Sequence, residues 1–67
     1  MPADVRGVWR APGLQVRIEQ NYQQIDVEGA RNAVLSGRDI RWDGFQGRVE
    51  GNRIIGELAG RPIELRR

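Results

Sequence analysis

Sixty-seven residues allow one domain, residues 1–67, and a single core of this size rarely supplies more than ~3–5 kcal/mol. Cysteine and histidine are both absent, which excludes disulfides and the usual zinc or iron ligands and leaves self-association among the common remedies for a small core. Every basic residue is arginine; eleven of them face nine acids for a net charge of +2, so the surface is mixed and not a cationic tail.

Val5, Gly7 and Trp9 share one face of a first strand over residues 5–10. Ala11-Pro12-Gly13 is a turn, since Pro sets φ and Gly tolerates positive φ. Leu14, Val16 and Ile18 alternate with Gln15, Arg17 and Glu19, the pattern of a half-buried strand. The apolar phase then shifts to odd numbers at Ile25 and Val27. A two-residue turn at Asn21-Tyr22 accounts for the shift, setting Ile18 opposite Ile25 and Arg17 opposite Asp26. Tyr22 is expected to pack at that turn. A three-residue loop, Ala30-Arg31-Asn32, pairs Gly29 with Ala33 and Val27 with Leu35.

Gly37-Arg38 sets Leu35 opposite Ile40. Asp43-Gly44 reads as a type I′ pair and sets Trp42 opposite Phe45. The strongest local signal follows: Phe45 to Leu58 alternates around Gly51-Asn52, with Val49 opposite Ile54 and Gly47 opposite Gly56. Ile55 is the exception there, an apolar residue on the outer face. Finally, Gly60-Arg61 sets Leu58 opposite Ile63, and Pro62 stands near the start of the last strand, where Pro is tolerated.

One register runs through all seven turns. Its inner face is Val5, Gly7, Trp9, Leu14, Val16, Ile18, Ile25, Val27, Gly29, Ala33, Leu35, Ile40, Trp42, Phe45, Gly47, Val49, Ile54, Gly56, Leu58, Ile63 and Leu65, none of them charged. A one-residue slip would turn a strand's apolar set outward, so this coherence defines the fold class. The expectation is an all-β antiparallel meander of seven to eight short strands. It closes into a small barrel, or is completed by a dimer, including one made by swapping hairpins.

The repertoire for catalysis is thin. There is no His, Cys, Lys or Thr, and the one serine, Ser36, lies by a turn without a base beside it. All nine carboxylates fall outside or in loops, so the chain is expected not to be an enzyme and to carry no catalytic, cofactor-binding or metal-binding residue. Its glycines fall at turns and inner strand positions, without the strand-then-helix context of a phosphate cradle.

Meander geometry gathers alternate loops at one end. That places Arg10, Arg31 and Arg61 around a rim, with Trp9 and Trp42 just inside, as a candidate site for a small anionic or flat ligand. The competing reading has the tryptophans plugging the core and the arginines keeping the rim soluble. Single-stranded nucleic acid is a further alternative, disfavoured as a partner because acids interleave with the arginines and only Tyr22 among the aromatics points outward. Ile55 is the candidate interface residue. No stretch approaches the ~20 apolar residues of a membrane span, and residues 1–10 lack the apolar core of a signal peptide. A cytoplasmic bacterial setting is therefore expected, from a GC-rich genome given arginine without lysine.

Trp9-Arg10, the run from Gln20 to Ile25, Gly37-Arg-Asp-Ile-Arg-Trp42 and the run from Phe45 to Gly56 together resemble the small C-terminal β-domain that follows the catalytic domain of bacterial class I S-adenosylmethionine-dependent methyltransferases. The resemblance covers most of the chain, and its last block is the most specific. The catalytic domain with its nucleotide-binding glycine motif is missing. The resemblance thus implies a stand-alone accessory module without cofactor. The expected function is a non-enzymatic interaction module, a homodimer or one that docks on a partner protein such as a methyltransferase.

Overall fold

The computed structural model describes residues 2–67. Eight strands follow one another: β1 (Gly7–Ala11), β2 (Leu14–Asn21), β3 (Gln24–Val27), β4 (Val34–Ser36), β5 (Asp39–Trp42), β6 (Phe45–Glu50), β7 (Arg53–Leu58) and β8 (Arg61–Arg66). All ladders are antiparallel, and the spatial order is β3-β2-β1-β8-β7-β6-β5-β4. The first strand therefore meets the last, through Arg10 opposite Arg66. The two sheet edges, β3 and β4, lie against one another without a ladder between them. The result is a nearly closed, flattened barrel of 28 × 23 × 17 Å.

Inward and outward positions follow the alternation in the sequence. The fully enclosed side chains include Trp9, Ile18, Ile40, Ile54, Leu65, Val5 and Val27, around which Val16, Leu35, Trp42, Phe45 and Val49 complete the buried core. Each of these belongs to the inner face read from the register. The interior is filled by side chains. Trp42 and Phe45 stack with ring centroids 4.2 Å apart. Between β6 and β7 the strands approach so closely at Gly47 opposite Gly56 that a Cβ on Gly56 would collide with the Gln46 carbonyl. The space above Gly47 is taken by the Phe45 ring, 2.8 Å from where a Cβ would stand.

The pairing differs from expectation in three places and the turn type in a fourth, where Trp42 does face Phe45 as expected. The β2–β3 turn is Tyr22-Gln23, so Ile18 faces Val27, Glu19 faces Asp26 and Gln20 faces Ile25. The β7–β8 turn is Ala59-Gly60, so Gly56 faces Ile63 and Ile54 faces Leu65. Moving a turn by one residue slides the pairing by two, which keeps every side chain on its face. Alternation alone therefore does not tell the two registers apart. Third, Val27 does not pair with Leu35, because β3 and β4 are the edges; the connection between them crosses one end of the barrel, where the Asp43 N–H donates to the Arg31 carbonyl at 2.9 Å. Fourth, at Asp43-Gly44 only Gly44 has positive φ, +87°, so the turn is not type I′. Asp43 is held instead by Asn32, whose amide Nδ2 donates to its carboxylate at 3.0 Å.

The opposite end is closed by residues outside the sheet. Gly7, at φ +123°, turns the chain off β1, and Val5 enters the core. Gln20, on the inner face of β2, binds this segment like a short strand partner. Its Oε1 accepts from the Val5 N–H at 2.7 Å and its Nε2 donates to the Ala3 carbonyl at 2.8 Å. The Ala3 N–H donates to the Gly37 carbonyl at 3.0 Å, so the segment runs from β2 to the β4–β5 turn and spans the foot of the open seam.

Candidate functional site

The alternate loops do gather at one end. The Ala59 N–H donates to the Gly44 carbonyl at 2.8 Å, and Arg31 is tied to Asp43 as described. Arg10 and Arg61 line one surface cleft, floored by Leu58, Ile63 and Pro12, at the place where β8 runs on past the end of β1. Arg31 does not line that cleft. Trp42 lies under the neighbouring Asp43-Gly44 turn, buried against Phe45.

Trp9 is turned to the other end. Its indole Nε1 donates to the Val5 carbonyl at 3.0 Å, and the Arg67 guanidinium covers the ring at 4.6 Å from its centroid. Arg67 also donates to the carbonyls of Asp4 and Arg6, at 3.2 and 2.9 Å, and to Asn52 Oδ1. It continues the inward parity of Ile63 and Leu65. Its alkyl stem and planar head therefore close the barrel end while the charge stays near water.

Tyr22 does not pack at its turn: it is 86% exposed, at φ +59°. A bulky residue with positive φ is uncommon, because its Cβ crowds the following carbonyl.

The outer wall carries the remaining features. Ile55 is 41% exposed in the middle of β7. Its cross-strand neighbours are Arg48 and Glu64, and along its own strand Arg53 and Glu57 share its face, so an apolar side chain stands in a wholly charged surround. One row further along, Arg10, Arg66 and Arg53 stand directly opposite one another across β1, β8 and β7. Glu64 binds Arg66 at 2.6 Å and Arg53 at 3.5 Å, whereas Arg10 meets the amide oxygen of Gln15 at 3.2 Å. On the β2–β3 hairpin the opposition has the other sign, with Glu19 facing Asp26. Arg17 binds Glu28 there at 3.7 Å. Among the described residues no group of acids is arranged to hold a metal ion, and no helix is long and apolar enough to cross a membrane.

The class that fold and surface define is a small antiparallel β-barrel whose unusual features lie on its outer wall. Comparison with protein-family models, curated proteins and solved structures found no match.

Proposed function

We propose that this chain is a non-enzymatic interaction module that self-associates or docks on a partner protein through the outer face around Ile55. The observation that carries this reading is Ile55 itself, apolar and 41% exposed on a central strand among charged neighbours. Neither the core nor the register requires an isoleucine at this outward position. The marginal core expected of so short a chain favours stabilisation by an added copy. The simplest form is a cytoplasmic homodimer, in the bacterial setting expected from composition. An Ile55→Glu variant tests the reading by sedimentation equilibrium. The parent's average mass should rise with concentration, and the variant, equally folded by circular dichroism, should stay near the monomer mass. Equal behaviour of the two removes Ile55 from the interface.

A second reading is supported by the cleft between β1 and β8, where Arg10, Arg61 and Arg66, with Glu64, line an apolar floor. It fits a small amphipathic carboxylate. Titration with octanoate should move the amide signals of Arg61 and Ile63; unmoved signals at millimolar ligand dispose of it.

A further inference from the structure

On an outer wall of mixed charge, like charges are set directly opposite in two places. Arg10, Arg66 and Arg53 form a row across three adjacent strands, spanning roughly 10 Å. Glu19 and Asp26 form the corresponding acidic pair on β2 and β3. Like charges directly opposite are unfavourable within a sheet. A one-for-one exchange between the two sites would have removed much of both oppositions within the same fold. Among the described residues neither Glu19 nor Asp26 has an ion-pair partner; in the arginine row Glu64 answers Arg53 and Arg66, Glu50 stands opposite Arg53, and Arg10 meets only the amide of Gln15.

Each charged patch also has an exposed apolar or aromatic side chain beside it. Ile55 lies one step along β7 from Arg53, on the same face. Tyr22 stands at the tip of the acidic hairpin, 86% exposed and in a backbone conformation that a tyrosine adopts at a cost. A hairpin with an aromatic ring at its tip and two carboxylates behind it complements an aliphatic side chain that adjoins the arginine row as well as Glu57 and Glu64, since the ring also attracts arginine.

We infer that a second copy of this chain is the occupant of the Ile55 face, and that it presents the tip of its β2–β3 hairpin. Tyr22 packs on Ile55, while Glu19 and Asp26 face Arg53, Arg66 and Arg10. This rests on the self-association reading above and replaces its closed homodimer with a head-to-tail contact. The contact is heterologous, because two different surfaces meet. A pair so formed leaves one free hairpin and one free arginine row, and the assembly grows beyond two copies as concentration rises.

Charge exchange tests this. One variant carries Arg53→Glu and Arg66→Glu; the other carries Glu19→Arg and Asp26→Arg. Each alone should associate about ten-fold or more weakly than the parent, because like patches then meet. An equimolar mixture of the two should regain association, since each supplies what the other lost. Tyr22→Ala, which leaves every charge in place, should also weaken the parent's association, and covers the case of a charge variant that fails to fold. Parent-like association of both charge variants overturns the assignment while leaving self-association standing. A parent that stays monomeric at every concentration overturns both. A mixture that remains monomeric overturns the inference, as does an arginine row that binds a single-stranded oligonucleotide while the chain stays monomeric.

Discussion

At the scale of single residues, Gln20 illustrates how a polar side chain can serve an apolar interior. Its amide makes three hydrogen bonds: it accepts from Val5 and donates to the carbonyls of Ala3 and Tyr22. Replacing it with alanine leaves a backbone donor and acceptor without their partners at the foot of the barrel, at a cost of about 1–3 kcal/mol. Denaturant unfolding should show that loss for Gln20→Ala, with faster amide exchange at Val5; an unchanged midpoint would show that the segment contributes nothing to closure. Tyr22 makes the opposite case. Asparagine tolerates positive φ better than tyrosine, so Tyr22→Asn should stabilise the fold by up to about 1 kcal/mol. The same substitution should weaken self-association. A lower melting temperature would mean that the ring supports its own hairpin.

The elements were legible in the sequence to different depths. Alternation was sufficient for the strand faces, because the side-chain period is two and every buried residue obeys it. It was insufficient for the β2–β3 and β7–β8 registers, because a slide of two residues leaves the faces unchanged. Those registers depend on turn conformation and on contacts made by the turn. Ala59-Gly60 is fixed in part by the Ala59 N–H reaching Gly44, a residue far away in the chain. Gln20 continued the even-numbered inward run of Leu14, Val16 and Ile18, and Arg67 the odd-numbered run of Ile63 and Leu65. Both inward positions were therefore readable from parity, though neither partner was. The Gly47–Gly56 pair was readable as a close approach, and its consequence is specific. Gly56→Ala drives a methyl into the β6 backbone and should cost about 1–3 kcal/mol or more in thermal or denaturant unfolding. A neutral result would require the two strands to separate locally, which amide exchange along β6 would reveal.

At the scale of the whole molecule, closure is shared out among unlike devices. β1 and β8 join the chain's two ends, the connection from β3 to β4 crosses the top of the seam, and residues 3–5 with Gln20 and Arg67 cover its foot. Meander logic anticipated a barrel but paired β3 with β4, because a ladder there looked as natural as the others. Of the expected rim, the fold brings Arg10 and Arg61 to one cleft and turns Trp9 away, since an indole that large fills the far end of so small an interior. The outer wall was the least legible part. Ile55 stood out from the alternation, but the arginine row could not be read before β8 was known to lie against β1. The acidic pair likewise depended on the β2–β3 register.

Recognition of another copy of the chain by this wall is the proposal on which the rest depends. A dilution series of amide ¹H–¹⁵N spectra of the parent tests it most directly, because it reports both association and its location. Concentration-dependent shifts are expected at Arg10, Arg53, Ile55 and Arg66 together with Glu19, Tyr22 and Asp26, with constant signals in the core. Spectra that do not change over the whole concentration range would contradict it.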